Sequence, residues 1–313
     1  MTDVDLEYCI TDFSAPSCAD RLAQAEVLLT SWGVPPVEPA LDLLPRLRAV
    51  VHAAGSVKGH LTPAVWARGV AVASSAGANA IPVAEFTVAA VLFAGKSVTT
   101  AVEQFRAANR RPSTPSVGGT GVVTELPEIG NYGRTVGIIG ASRVGRLVIS
   151  RLRHHDLDLL LHDPFVNADE ARRLGVRLTD LSDLMTLSTV VSVHAPLVPS
   201  TLGLLDATML ALLPDGATLI NTARGAIIDP DALERELVSG RLNAYLDVTL
   251  PEPLPSASPL WSLPNVALTP HLAGSAGNEL LRIGDHAVDE IVRWTTGRPF
   301  VEPVLVGDLP RLA

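Results

Sequence analysis

A chain of 313 residues is long enough for two domains of ordinary size; with 47% apolar but only 4% aromatic residues, its core must be built from Ala, Val and Leu. That composition suits parallel sheets covered by helices. A formal charge of −9 argues against nucleic acid as the main partner, because phosphate backbones need a basic field.

The first hundred residues alternate short apolar runs with helical patterns. "EVLLTSW", "LRAVVHAAG" and "VAVASSA" read as strands, and "ALDLLPRL" and "TPAVWARG" as short helices. Such a βα repeat predicts a parallel sheet. Residues 77–110 read as one long helix, with Asn79 as its cap and Pro82 in its first turn. Residues 111–134 are rich in Pro, Gly, Ser and Thr and read as a linker or an arm that contacts a second copy. From Thr135 the alternation restarts: "TVGIIG", "LDLLLHD", "STVVSVHAP", "ATLINTA", "NAYLDV" and "NVALTP" read as strands, and "RVGRLVISRLRHH" and "DPDALERELVSG" as helices. A last amphipathic helix spans about 276–296, with Leu280, Ile283, Ala287, Ile291 and Trp294 at helical spacing.

Three features bear on location. The acidic start "MTDVDLEY" lacks the apolar segment of a leader, and "VAEFTVAAVLFAG" is too short to span a bilayer and carries Glu85. Two isolated cysteines, Cys9 and Cys18, make neither a disulfide framework nor a metal site. The expectation is a cytoplasmic α/β protein with no membrane partner and no bound metal.

The stretch "VGIIGASRVGR" runs from Val136 to Arg146: a strand, a Gly-rich turn and a helix start. It has the form G-x-S-x-x-G, with Ser142 where a dinucleotide turn usually carries glycine. Gly140 makes the tight turn, and Gly145 lets the helix pack close to the sheet. Serine is a small replacement whose hydroxyl can donate to a phosphate oxygen. The unpaired N–H groups and positive dipole end of the helix suit a pyrophosphate. Asp163 follows Gly140 by 23 residues, near the ~20 expected of the acid that accepts from the adenosine 2′-hydroxyl and repels a 2′-phosphate. NAD(H) is therefore expected over NADP(H).

"INTARGAIID", "LDVTLPEPLP" and "LTPHLAGS" stand at strand ends and supply Arg224, Glu252 and His271. Hydride transfer to a 2-oxo acid needs such a set. Arginine holds the planar carboxylate bidentately, and protonated histidine donates to the carbonyl oxygen. A carboxylate beside the histidine favours its imidazolium form and fixes its ring.

On these residues, and on "GANAIPVAEFT", "VVSVHAPLVPSTLGLLD", "LPDGATLINTARGAIID", "ALERELVSGRLNAYLDV" and "LPNVALTPHLAGS", the chain resembles the D-isomer-specific 2-hydroxyacid dehydrogenases from about Arg48 to about Gly297. The resemblance implies two Rossmann-like or flavodoxin-like βα domains with the active site in the cleft between them. The substrate domain would be discontinuous, 1–100 plus 275–313, and the NAD-binding domain would be 101–274. It further implies that Arg224 binds the substrate carboxylate, that His271 exchanges the proton, and that Glu252 pairs with His271. Arg143 and Val144 would meet the pyrophosphate. His194 and Pro196 would lie on the adenine-to-ribose side, Thr201 would also bind the cofactor, and Thr222, Ala223, Asp247, Ala273 and Gly274 would lie towards the nicotinamide. The substrate would be a small D-2-hydroxy or 2-oxo acid and the assembly a homodimer. A regulatory binding protein of the same fold that senses NAD(H) is the alternative.

Three departures stand out: Ser142 itself, a segment "GRLNAYLDV" one residue shorter than usual, and a loop "AAGSVKGHLTP" that lacks the family's G-x-G-x-D-x-I-D shape. Backbone N–H groups of Gly55, Ser56 and Val57 remain able to bind a carboxylate. Lys58, one of only two lysines, reads either as a holder of a second anionic group of the substrate, if its ammonium reaches the cleft, or as a solvated loop lysine, and His60 reads as a loop residue.

Overall fold

The structure is a computed structural model that describes residues 9–107 and 129–311. The chain divides into two compact units, Met1–Ala80 with Ser275–Ala313, and Ile81–Gly274.

In the first unit, α1 (Ala19–Gln24), β1 (Val27–Thr30), β2 (Ala49–His52), α2 (Pro63–Ala67) and β3 (Ala71–Ser74) build a parallel sheet of order β1-β2-β3. Strand β2 is buried along its whole length, as its run of Ala and Val requires. The expected helix over "ALDLLPRL" is a 3-10 turn, Glu38–Leu43, and Pro45 prevents its continuation. Cys18 lies in this unit's apolar core, while Cys9 is exposed.

Helix α3 (Ala76–Gly95) starts earlier than expected, so Asn79 is not its cap; the Ser74 hydroxyl accepts from the Ala76 N–H instead. Its 20 residues make it long and apolar enough, by length and composition, to cross a bilayer. The apolar run is thus longer than "VAEFTVAAVLFAG" alone. Yet Ala84, Ala90, Val91 and Ala94 pack into the core of the second unit, which marks a buried helix. For the same reason the division falls at Ala80 and not near residue 100. The single helix expected to Arg110 breaks at Lys96 and Ser97, where Ser97 takes φ 48°, and α4 (Val98–Ala107) resumes. Most of the expected linker, 111–128, lies outside the described residues.

The second unit continues with β4 (Arg134–Ile139), α5 (Arg143–Leu152), β5 (Leu157–His162), α6 (Ala168–Leu174), β6 (Arg177–Leu178), α7 (Leu181–Leu187), β7 (Val190–Val193), α8 (Ala207–Ala211), β8 (Thr218–Asn221), α9 (Pro230–Val238), β9 (Asn243–Leu246) and β10 (Val266–Leu268). All seven strands are parallel, in the order β10-β9-β8-β7-β4-β5-β6. Counted within the unit this is 3-2-1-4-5-6-7, which contains the dinucleotide-binding order. Both faces are covered: Leu159 and Leu161 face one apolar cluster and Leu160 the other. The chain reverses direction across the sheet at β4, so the crevice beyond the carboxyl ends of β4 and β7 is the switch point where such sheets bind ligands.

Helices α6, α7 and α8 escaped the sequence reading because each is short. Each nevertheless carries a capping side chain, since Asn167, Asp180 and Asp206 accept from the N–H of Glu170, Asp183 and Met209. The shortened segment before Asp247 leaves β9 in register with β8, with Asn221 opposite Leu246.

The final helix, α10 (Leu280–Thr295), belongs to the first unit. Ile283 and Ala287 are buried as expected, but Leu280 is exposed. Glu290 is buried instead, because its carboxylate accepts from the N–H groups of Val301 and Glu302.

Candidate active site

In the second unit every expected site residue stands just beyond a strand end, in the loop that follows it, or, for Arg143, Val144 and Gly145, in the first turn of α5. After β4 the chain turns at Gly140 with φ 96°. A Cβ there would lie 2.7 Å from the nitrogen of Ala195 and 2.9 Å from the carbonyl carbon of His194. Only glycine lets this turn lie against the segment that leaves β7. At Gly145 a Cβ would lie 2.1 Å from the Gly140 carbonyl oxygen, so the first turn of α5 packs directly on the turn below it.

Ser142 is the N-cap of α5. Its backbone is extended, at φ −63° and ψ 180°, and needs no glycine. Its Oγ accepts from the Gly145 N–H at 3.3 Å, which leaves the hydroxyl proton free to donate outward. The serine is therefore compatible with the turn and adds a cap to it. Asp163, at the end of β5, accepts from the Ala141 N–H at 2.7 Å and from the Phe165 N–H at 2.8 Å. It closes its own loop and also ties that loop to the Gly-rich turn. Each carboxylate oxygen keeps a further lone pair for an outside donor. A helix start, a hydroxyl donor and a part-exposed carboxylate one strand away form a donor and acceptor set that fits a pyrophosphate followed by a ribose.

Other expected cofactor residues are used by the protein itself. His194 is buried, with Nε2 2.9 Å from the Ser192 Oγ, and burial pulls its pKa down to about 3, so the ring is neutral. The Thr201 hydroxyl accepts from the Val198 N–H and donates to the Pro196 carbonyl, closing that turn. The Thr222 hydroxyl is 2.9 Å from that of Thr87 in a buried pair.

The turn after β8 presents Arg224. Asn221 shapes it: Oδ1 accepts from the Ala223 N–H and Nδ2 donates to the Arg224 carbonyl, both at 3.0 Å. Gly225 lets this turn touch the chain after β9, since a Cβ would sit 2.1 Å from the Thr249 carbonyl oxygen. Burial lowers the pKa of the Arg224 guanidinium, and the charge of Glu252 acts against that. Glu252 in turn places Oε1 2.7 Å from Nδ1 of His271. Guanidinium, carboxylate and imidazole thus come together from the ends of three neighbouring strands, β8, β9 and β10.

Asp247, at the end of β9, is 3% exposed. It accepts from the Thr269 hydroxyl, the Leu272 N–H and the Ala273 N–H. Sequence reasoning overlooked Asn221 and Thr269, although an Asn that opens a turn is a known signal for side-chain closure of that turn.

In the first unit, the expected substrate loop is tied down by the Ser74 hydroxyl, which donates to the Gly55 carbonyl at 2.6 Å. The Lys58 N–H donates to the Ser56 Oγ, and the Val57 side chain is buried in the core. His60 is a satisfied loop residue, with Nδ1 2.8 Å from the Val34 carbonyl.

A family model described as D-isomer specific 2-hydroxyacid dehydrogenase, NAD binding domain, matches residues 100–273. The chain belongs to this family. Within the D-isomer specific 2-hydroxyacid dehydrogenases it is similar to the D-3-phosphoglycerate dehydrogenase of Mycobacterium tuberculosis, with 31% identity over 91% of this chain and 52% of the relative. Formate dehydrogenase 2, mitochondrial, of Oryza sativa is 28% identical over 90% of this chain and 73% of its own length. The chain spans about half the length of the phosphoglycerate dehydrogenases it matches. Among solved structures, the TT0316 protein from Thermus thermophilus matches at a TM-score of 0.77, with 28% identity over 93% of this chain and 90% of that one. An NAD-dependent formate dehydrogenase from Staphylococcus aureus in complex with NAD matches at 0.68, with 26% identity over 95% and 87%. The region matched as the NAD binding domain of a 2-hydroxyacid dehydrogenase includes β4 to β10, the sheet that carries all the strand-end residues described above.

Proposed function

We propose that this protein is an NAD-dependent oxidoreductase acting on a small D-2-hydroxy acid or the corresponding 2-oxo acid. The observation that carries the reading is the convergence of Arg224, Glu252 and His271, with the 2.7 Å bond between the last two. NAD(H), when bound, supplies or accepts the hydride at the carbon that bears the oxygen.

The residues divide the remaining work. Arg224 takes the substrate carboxylate in a two-point grip that orients the neighbouring carbonyl. With Nδ1 of His271 engaged by Glu252, Nε2 holds the proton given to the carbonyl oxygen in reduction and taken from the hydroxyl in oxidation. Glu252 keeps the ring in that orientation and balances the charge of its protonated form. Gly140, Ser142, Arg143, Val144 and Gly145 cradle the pyrophosphate, and Asp163 takes the adenosine ribose, which favours NAD(H) over NADP(H). His194, Pro196 and Thr201 shape the adenine-to-ribose side; Thr222, Ala223, Asp247, Ala273 and Gly274 face the nicotinamide.

We assign the Gly55–Val57 backbone to the substrate's carboxylate and Lys58 to a second anionic group, a reading in keeping with the phosphorylated substrate in the name of the mycobacterial relative. A cytoplasmic homodimer is the proposed working form. Phe93 on α3 and Val102 and Phe105 on α4 are exposed apolar side chains that a second copy would cover.

The test is loss of NADH absorbance with glyoxylate, hydroxypyruvate, oxaloacetate and phenylpyruvate, run in parallel with NADPH. Turnover abolished by His271→Ala supports the dehydrogenase. Tight NADH binding without turnover on any acid would favour the NAD(H)-sensing alternative.

A further inference from the structure

We propose that Thr269 is a positioning residue: together with Asp247 it forms a latch that holds the backbone of His271 in its working conformation. The proposal rests on reading His271 as the acid–base group.

His271 has φ 53°, the left-handed region that favours glycine. A non-glycine residue stays there only where its surroundings over-determine it. The surroundings here are three. The His271 N–H donates to the carbonyls of Asp247 and Thr269, both at 3.0 Å. The Asp247 carboxylate receives the Leu272 N–H at 2.8 Å on Oδ1 and the Ala273 N–H at 2.9 Å on Oδ2, the two amides that follow the strained residue. The Thr269 hydroxyl donates to the same Oδ1 at 2.6 Å.

Of these bonds only the last is made by a donor side chain. Glu252 cannot replace the latch, because it grips the ring and not the backbone. The ring itself is half exposed, so packing does little to aim it. Its direction is therefore set by the left-handed backbone and by the one bond to Glu252. Without the Thr269 hydroxyl, Asp247 loses a charge-assisted bond and can turn about its last torsion. The Leu272 N–H is then released, and the His271 backbone relaxes out of the left-handed region. Asp247 keeps its proposed place towards the nicotinamide, whereas Thr269 is not among the residues proposed to bind the cofactor, so loss of its hydroxyl should cost turnover and leave cofactor affinity unchanged.

The experiment compares Thr269→Val, which removes the hydroxyl at constant shape, with Thr269→Ser, which keeps it. Both are made in the full chain. Amide hydrogen exchange of the peptide spanning 268–275, read by mass spectrometry, should speed up about tenfold in the valine variant and return to the wild-type rate in the serine variant. With NADH and the best acid of the panel, kcat should fall about tenfold in valine and recover in serine, while the Kd for NADH read by fluorescence stays unchanged. Unchanged exchange in Thr269→Val overturns the latch. So does a kcat loss that serine fails to rescue, or a loss confined to NADH affinity. If the wild type turns over no acid, or if His271→Ala keeps full turnover, the dehydrogenase reading fails, and the exchange rates alone then decide whether the latch exists.

Discussion

Glu252 and His271 are joined by a 2.7 Å bond between Oε1 and Nδ1, although 19 residues separate them in the chain. The bond links the loops after β9 and β10, and it leaves Nε2 as the imidazole nitrogen able to reach a ligand. Replacing His271 with alanine should lower kcat by about 10²–10⁴-fold, the usual share of a general acid. Replacing Glu252 with alanine removes a hydrogen bond to a charged group, worth about 1.5–3 kcal/mol, so kcat should fall roughly 10–100-fold. Glu252→Gln keeps an acceptor for Nδ1 and should lie between Glu252→Ala and the wild type. Steady-state kinetics of the three variants test this order.

Asp163 serves both the Gly-rich turn and the proposed ribose contact. Asp163→Ser removes the charge that would repel a 2′-phosphate, and it also removes the acceptor of the Ala141 N–H. The ratio of kcat/KM for NADPH over NADH should rise about tenfold or more, while NADH binding itself weakens. A ratio that stays put would mean that Asp163 only closes its loop.

The Gly-rich turn tolerates serine at 142 but should not tolerate a methyl group at 145. Gly145→Ala places a Cβ 2.1 Å from the Gly140 carbonyl oxygen and should cost about 1–3 kcal/mol, together with NADH affinity. Ser142→Ala removes a cap and should cost about 1 kcal/mol; Ser142→Gly should cost only a few tenths. Urea unfolding and NADH titration of the three variants give both quantities.

Two buried histidines set an acid limit to stability. Burial lowers the pKa of His52 to about 4, with the charge of His60 adding to the effect, and that of His194 to about 3. Unfolded, each titrates near 6.5, so the unfolded chain binds protons more readily as pH falls. The stabilisation is complete above about pH 6.5 and is lost as pH drops towards the folded values. At pH 5 each neutral histidine should cost about 2 kcal/mol relative to pH 7. His194→Asn should remove its share of the loss, about one proton taken up on unfolding near pH 5, as read from unfolding curves across pH.

Much of the fold was legible because local signals and global demands agree. Runs such as "LDLLLHD" carry apolar residues on both faces and suit only a strand covered on both sides. Gly140 and Gly145 were legible for the same reason, since each is required by a contact that a strand–turn–helix always makes. The candidate set at 224, 252 and 271 was legible because each residue follows an apolar strand by a few positions. The short helices α6, α7 and α8 were not, for their periodic stretch is brief and a single capping side chain is a weak signal.

By itself the sequence determined most strands, the longer helices, the parallel α/β class, the Gly-rich turn and the strand ends that hold the candidate residues, because these depend on periodicity, on backbone permission and on residues near one another in the chain. Only the tertiary structure decided that α3 ends in the core of the second unit, that Asn221 closes the turn around Arg224 and that the Thr269 hydroxyl meets the Asp247 carboxylate. It alone turned the ring of His194 into the protein. These outcomes depend on which groups are buried together, and a buried polar atom must find its partner wherever the fold supplies one, often tens of residues away.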